Sequence, residues 1–347
     1  MNKTNLLLVL LFLLLAIVSC NSKQNKADPK GDRELFHKMY QSLPDLKPLD
    51  KEKIHTLRVL YVEDADLPKL SEDDKKELLK EVVTLCRGIL GYKIRFKGVG
   101  SEDIHSFFQR MKPDFEKPEF RYPVLNWPIP IHDTDRIAST IERQVKKHDK
   151  ATLIRYFGKP DDRDTMSQHV YKQFIRRLKG IYEEKDLKGK ALSNGRFEQM
   201  SYAHWSVIAY NLKKADFIIT NTLIAGADTD MPIYVINRGG VTSAFVENNL
   251  YNPYQAAGIF ATYQYLSNGP YFSKMRGSLP KPLLIKVMAY LFVHELGHFL
   301  GRYKEYYKLK GSIHVAPTDL NYRRWYQAID PRIHPMNPSK LQTLKKY

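Results

Sequence analysis

Two histidines and a glutamate at the end of a long apolar segment have the residue types and the spacing of a metal site. His294 and His298 are four positions apart, so on a helix both side chains lie on one face and their imidazoles can converge on one zinc ion. Glu295 follows the first histidine and can take a proton from a water molecule on that ion. A chance occurrence of the three residues is the alternative. The apolar run 283–292 and Gly301, three residues after the motif, favour zinc.

The segments that must position this motif begin with a predicted parallel strand pair. Strands are predicted at 57–62 and 92–96, bounded by turn residues. Between them, Ser71 is a good N-cap, apolar residues recur at helical spacing, and Gly91 ends the helix. A strand–helix–strand order predicts two parallel strands joined by a crossover helix.

Further strands are predicted before the motif. Two of them cover 215–222 and 231–237, and Pro232 suits an edge position in the second. A short strand is predicted within 241–246, after a glycine turn. Residues 252–268 are predicted as a helix, and the motif itself lies on a helix over about 282–300.

Residues 101–212 form a large block whose role is open between an insertion over one face and a part of the substrate platform. Most of it is predicted as helix, at 104–111, 135–147, 164–184 and 201–212, whereas 112–130 is rich in prolines and aromatics and is predicted as an irregular loop. Four histidines of this block have no partner at metal-ligand spacing and are expected as surface or core residues: His132, His148, His169 and His204.

The N-terminus has the pattern of a targeting segment. Lys3 precedes an apolar run from Leu6 to Val18, which is short for a membrane span and is followed by one small residue, Ser19, before Cys20. The cysteine after Ser19 resembles a bacterial lipobox, and that resemblance implies a signal peptide over 1–19 and a lipid-modified Cys20. An ordinary secretory signal or an uncleaved anchor is the alternative.

Composition limits the function classes. The chain has 347 residues, with 55 Lys and Arg against 38 Asp and Glu and a formal charge of +17. The basic residues are spread along the chain, so a solvated basic surface is favoured over a nucleic-acid site. Only Cys20 and Cys86 are cysteines, which leaves no disulfide framework, and Cys86 is expected as a core residue.

The motif resembles that of the metzincins, a superfamily of zinc peptidases with the pattern His-Glu-x-x-His-x-x-Gly-x-x-His or Asp. His294, Glu295, His298 and Gly301 fit, and the resemblance implies that the glycine breaks the helix and the chain turns back to deliver the third ligand. Lys304 stands at the third-ligand position, and an ammonium group cannot bind zinc.

A catalytic zinc needs three protein ligands, and three side chains can replace Lys304. Glu305 is adjacent, and a structural ion pair is its alternative role. His314 can reach the metal if 302–312 is an inserted excursion. We place these two together, with His334 behind them.

A methionine near the C-terminus extends the resemblance. Met336 lies in a turn sequence before a short helical tail, similar to the Met-turn of archaemetzincins, small zinc peptidases of this superfamily. The match covers mainly 54–100 and 214–347. This chain departs from archaemetzincins in lacking their cysteines for a second zinc and in a longer gap between Gly301 and Met336.

The resemblance implies an α+β fold with a zincin-like mixed twisted sheet, an active-site helix and a small C-terminal subdomain. We expect a signal peptide at 1–19, a lipid-anchored tether and N-terminal extension at 20–50, a zincin-like subdomain at 51–301 and a C-terminal subdomain at 302–347.

The expected function is that of a zinc metalloendopeptidase, anchored in the bacterial cell envelope, with Glu295 as general base and a peptide or protein as substrate. An edge strand such as 231–237 would hold an extended peptide. The alternative is a catalytically inactive surface lipoprotein of the same fold that acts as a binding module, in which Lys304 marks lost metal chemistry. Nucleic-acid binding is a third reading that the positive charge alone suggests, and no such partner is expected.

Overall fold

The fold is taken from a computed structural model, which describes residues 29–41, 46–125, 134–161, 165–227, 235–238, 240–243, 254–303, 311–315, 317 and 321–330. In chain order the described elements are α1 (Pro29–Gln41), β1 (Ile54–Glu63), α2 (Glu72–Leu85), β2 (Lys93–Asp103), α3 (Ile104–Phe115), α4 (Pro118–Leu125), α5 (Thr134–Lys147), α6 (Lys150–Phe157), α7 (Met166–Tyr182), α8 (Phe197–Met200), α9 (Tyr202–Asn211), β3 (Phe217–Thr220), β4 (Ile224–Ala227), β5 (Val235–Arg238), β6 (Gly240–Ser243), β7 (Ala257–Ala261), α10 (Tyr263–Leu266), α11 (Pro270–Arg276), α12 (Lys281–Gly301) and α13 (Tyr322–Ala328).

A mixed sheet lies at the centre of the described chain, with helices on both faces. Its strand order is β2-β1-β3-β7-β6. The first four strands run parallel, and β6 pairs antiparallel with β7 at the edge. Strands β3 and β7 are buried along their whole length, which explains their unbroken apolar sequences. The structure is thus a mixed α/β fold, compatible with the predicted α+β class.

The predicted start of the sheet is confirmed. Ser71 caps α2, because its side chain accepts a hydrogen bond from the Asp74 backbone N–H. A short π-helical turn at Cys86–Leu90 follows, and Gly91 adopts the left-handed conformation at φ 75° that ends it. The crossover returns the chain to β2, which pairs parallel with β1.

Alternating side chains of the central strands define the two layers of the core. Phe217 and Phe260 face one side, where they pack with α2 and α12, whereas Ile218 and Ile259 face the other side, where they pack with α3 and α9. Phe260 stacks on Phe292 of α12 with ring centroids 4.9 Å apart. Such aromatic pairs contribute about 0.5–1.5 kcal/mol beyond their buried area, so they help to fix α12 on the sheet.

The predicted helix over 252–268 is wrong, because Ala257–Ala261 is strand β7, and in the part that the structure describes, 254–268, only Tyr263–Leu266 is helical. This apolar run lies between two strands and is buried on both faces, so its spacing does not distinguish strand from helix. Gly258 is needed there, since a Cβ at that position would overlap the Phe217 ring.

Two other segments are more helical than predicted. The predicted irregular loop over 112–130 is wrong in its first part, where α3 continues to Phe115 and α4 covers Pro118–Leu125. The predicted tether and extension over 20–50 contains helix α1, which packs on α4 through an ion pair between Asp32 and Arg121 at 2.8 Å. Buried contacts that only the folded chain supplies stabilise both segments.

The strand at the edge of the main sheet is not the predicted segment 231–237. The described part of 231–237 belongs to β5, which pairs with β4 in a separate two-stranded sheet. Strand β6, which overlaps the predicted 241–246 segment, forms the edge of the main sheet instead, and it contacts α12. The block 101–212 places α3 and α9 over one face of this sheet, while α5, α6 and α7 contribute to a core cluster of their own.

Helix α12 is, among the described residues, the one helix long and apolar enough to span a membrane by length and composition. Its side chains are mostly buried inside the protein, in the core that it shares with α2 and the sheet. Its apolar character therefore follows from its central position in the fold.

Candidate metal centre

The last two turns of α12 carry the predicted motif. His294 and Glu295 are buried, at 2% and 8% exposure, and His298 is partly exposed one turn later. Helix geometry places the two histidines on one face, and their ring centroids lie 4.7 Å apart. The predicted helix and the convergence of its two histidines are confirmed.

Both imidazoles are oriented by backbone carbonyls. Nδ1 of His294 donates to the carbonyl oxygen of Ile313 at 2.7 Å, and Nδ1 of His298 donates to that of Tyr303. A carbonyl oxygen can only accept, so each Nδ1 carries a hydrogen, and in its neutral form each ring would present the lone pair of Nε2. A carbonyl on the far ring nitrogen is the usual support of a metal-bound histidine.

The two Nε2 atoms lie 3.2 Å apart. Two nitrogens bound to a tetrahedral zinc ion, each about 2.0–2.1 Å from it, would lie roughly 3.3–3.4 Å from one another. Two lone pairs at this distance repel unless a proton or a metal ion lies between them. The separation fits a hydrogen bond in which the rings share one proton, and it is close to the separation that one shared zinc ion would give.

His314 is the third imidazole of this cluster. It is fully buried, and its ring centroid lies 6.1 Å from that of His294 and 6.4 Å from that of His298. Three rings on one tetrahedral ion would have centroids roughly 5 Å apart, so His314 stands about one ångström outside that arrangement. In keeping with this, no three His, Cys, Asp or Glu side chains of the described ranges lie close enough to hold a metal as placed.

Gly297, inside the motif, makes room for His314. A Cβ on Gly297 would overlap the His314 imidazole, so only glycine lets this ring lie against α12. The sequence shows Gly297 as a glycine within an apolar helix, but it does not show that His314 is the residue that packs against it. This residue and the two supporting carbonyls are the parts of the site that sequence reasoning missed.

The end of α12 delivers one of those carbonyls. The helix ends at Gly301, and the left-handed residue after it is Arg302, at φ 55°. The helix thus ends at Gly301 as expected, but Arg302 takes the left-handed conformation, and the missing side chain of Gly301 accommodates the Tyr303 ring. The backbone N–H of Tyr303 bonds Gly297 O at 3.2 Å, which brings its carbonyl to His298.

The segment 311–315 delivers the other carbonyl and is held by α13. Trp325 donates its indole N–H to Val315 O at 2.7 Å, and the Asp330 backbone N–H bonds Gly311 O at 2.9 Å. Gly311 has a positive φ of 83° at the turn. These bonds fix Ile313 and His314 against the helix, so α13 serves as a support of the site.

Several residues predicted for the site lie outside the described residues. Glu305 and His334, the other candidates for third ligand, belong to this set, as do Lys304, Met336 of the expected Met-turn and Cys20 of the expected lipid anchor. Of the three third-ligand candidates, the structure thus describes His314, and it places that ring beside the pair.

Two histidines of the helical block make their contacts outside this cluster. His169 bonds the carbonyl oxygen of Phe157 at 2.8 Å. His204 is buried among aromatic rings, 4.8 Å from Phe115 by centroids, and burial lowers its pKa to about 4. These contacts agree with the expected core and surface roles. His132 lies outside the described residues.

Comparison with known proteins adds no relative: no protein-family model, no curated protein and no solved structure matches the chain. The site must therefore be interpreted from its own geometry.

Proposed function

We propose that this protein is a zinc-dependent metallopeptidase that hydrolyses peptide bonds. The observation that carries the proposal is the pair of Nε2 atoms of His294 and His298, 3.2 Å apart, with each Nδ1 held by a carbonyl. The donor set of neutral imidazoles fits zinc. When bound, zinc lowers the pKa of water and polarises a carbonyl group.

His314 is the proposed third ligand. The ring is buried beside the pair, and Gly297 is needed to admit it. To join the pair on one ion, the ring would have to move by about one ångström. Glu305 is the competing ligand, and the metal measurements described below distinguish the two.

Glu295 is the proposed general base. It directly follows His294 and is only 8% exposed, and both facts support this role. The carboxylate accepts a proton from the attacking water and delivers it to the leaving amine, a role that contributes about 10²–10⁴-fold in rate.

Strand β6 is the proposed platform for the substrate. It is the antiparallel edge of the main sheet and contacts α12, so an extended peptide that pairs with it would lie beside the metal helix. This edge strand and the helix beside it also support the proposed zincin-like class, and the leader sequence supports export as a lipoprotein anchored through Cys20.

The test is peptide cleavage by purified, zinc-loaded chain against a mixture of unstructured peptides, with products mapped by mass spectrometry. Cleavage is expected to disappear with a chelator, to return with zinc, and to fall about 10²–10⁴-fold in E295Q. Zinc binding without any cleavage would favour the inactive binding module instead. Undiminished cleavage by E295Q would refute the assignment of the base.

A further inference from the structure

Arg302 is the residue with the least expected conformation near the site. It follows the last residue of α12, is 2% exposed and has a φ of 55°. Left-handed backbone disfavours residues with a Cβ, and glycine usually stands at this position after a helix. For a buried arginine to keep this unfavourable backbone conformation, contacts of its side chain must stabilise it.

The guanidinium group bridges two distant segments. It donates from Nη2 to Tyr254 O at 2.6 Å and from Nε to Lys47 O at 3.4 Å, and it lies over the Phe299 ring at 5.9 Å. Among the described residues no carboxylate pairs with it, and burial lowers its pKa to about 10. The Nε and Nη2 donors of the group therefore go to backbone carbonyls.

Those two segments surround the end of α12. The N-terminal segment 46–50 also bonds the helix directly, from Leu49 N to Leu300 O at 2.8 Å. Tyr254 is anchored in turn by its hydroxyl, which donates to Thr56 O at 2.9 Å on β1. Arg302 thus ties the helix end to the first strand and to the chain that precedes it.

We propose that Arg302 is a positioning residue for the metal centre: its side chain holds the left-handed turn that keeps the Tyr303 carbonyl on Nδ1 of His298. The chain of contacts is short. The turn at Arg302 lets the Tyr303 backbone N–H donate a hydrogen bond to Gly297 O. The carbonyl oxygen of Tyr303 then accepts the hydrogen bond that orients His298. This inference rests on the proposed zinc site.

Three variants separate the contribution of the side chain from that of the backbone. R302G accepts the left-handed conformation readily but loses both donors. R302M keeps the apolar stem and loses the donors as well. R302K retains one charged group, which as a single point donor cannot reproduce the arginine fork. If the guanidinium is what matters, all three must weaken the site, and R302K least.

The experiment measures zinc affinity by competition with a chromogenic chelator, and the absorption spectrum of the cobalt-substituted protein, on purified chain that begins after Cys20. R302M and R302G are expected to bind zinc about 10–100-fold more weakly than the wild type, because a lost support of a ligand has that effect. Their cobalt spectra are expected to shift, and R302K is expected to recover part of the affinity.

The matched control is R196M, which removes another buried arginine away from the site. Circular dichroism and Tm identify the folded variants, and R196M is expected to change Tm while binding zinc within about threefold of the wild type. Tight zinc binding and unchanged cobalt spectra in R302M and R302G would overturn the positioning role and leave the proposed function standing. A wild type that binds no metal would overturn both.

Discussion

At the scale of single residues, the proposed site depends as much on a missing side chain as on its ligands. Gly297 stands between Glu295 and His298 in the sequence, and its bare Cα is covered by the His314 ring. The histidine pair could be predicted from spacing alone, because four positions on a helix fix their relation. The approach of His314 could not be predicted. Twelve residues separate it from Gly301, of which 304–310 lie outside the described residues, and no local sequence rule brings the chain back to the helix.

Gly297→Ala tests this contact. The added Cβ would push the His314 ring away, so we expect zinc affinity to fall at least tenfold and stability to fall by about 1–3 kcal/mol, the usual effect of overpacking. Gly88→Ala is the control, because a Cβ there meets nothing within 4 Å. That variant should be neutral or slightly stabilising. Urea unfolding and chelator competition measure both effects, and equal behaviour of the two variants would contradict the packing described for His314.

Cys86 offers a second test at this scale. The thiol is fully buried, and burial raises its pKa to about 12. Thiolate is the reactive form, so the folded protein should not react with a thiol reagent at pH 8. In denaturant, a chain that begins after Cys20 should react at one thiol. Fast labelling under native conditions would show that the core around α2 is not closed as described.

At the scale of elements, local signals identified helices with caps and strands that alternate, and they failed where burial is complete. Ser71 marks α2 in the sequence, and the structure confirms it as the cap. Strand β7 has an apolar run without alternation, so the choice between helix and strand depended on its neighbours β3 and β6. Helix α1 likewise needs α4 to pack against. Such partners are distant in sequence, and no local pattern reports them.

Helix α9 is expected to make the protein sensitive to acid through His204. Burial lowers the pKa of this histidine from 6.5 to about 4. The unfolded chain therefore takes up a proton below pH 6.5 that the folded chain does not bind until about pH 4. The effect of His204 on the free energy of unfolding is absent above pH 6.5, grows as pH falls and levels off below pH 4. In total it lowers the free energy of unfolding by about 3 kcal/mol.

His204→Phe should remove this part of the loss of stability in acid, because phenylalanine does not titrate. The new ring fits the position, since Phe108 and Phe115 pack against His204. The measurement is urea unfolding of both proteins from pH 7.5 to pH 4.5. We expect the stability difference between them to shift in favour of the variant as pH falls. A difference that stays constant with pH would contradict the buried, neutral state of His204.

At the scale of the whole molecule, buried charges join the helical block to the sheet. Arg196 donates to Asp64, just after β1, at 2.6 Å and to Asp186 at 2.9 Å, and these side chains are nearly inaccessible. Composition gave no indication of this network, because its members are far apart in sequence and resemble surface charges. The mixed α/β class could be predicted from the order of elements, whereas the connection of the block to the sheet could not.

Arg196→Met tests the connection. It leaves two buried carboxylates without their cation, which typically costs about 3–5 kcal/mol. Lys76→Met is the control, since the Lys76–Asp73 pair is 78% and 94% exposed and should contribute less than about 1 kcal/mol. Urea unfolding at pH 7 gives both values. Similar small losses in the two variants would show that the network does not join the block to the sheet.

The central claim is that the two histidines of α12 and His314 hold one zinc ion, and zinc stoichiometry tests it most directly. The measurement is elemental analysis of purified chain after dialysis against limiting zinc, for the wild type and for H294A, H298A, H314A, E305A and H334A. The account predicts a single zinc ion per chain in the wild type, E305A and H334A, and loss of zinc in the other three. Absence of zinc from the wild type, or its loss in E305A but not in H314A, would contradict the account.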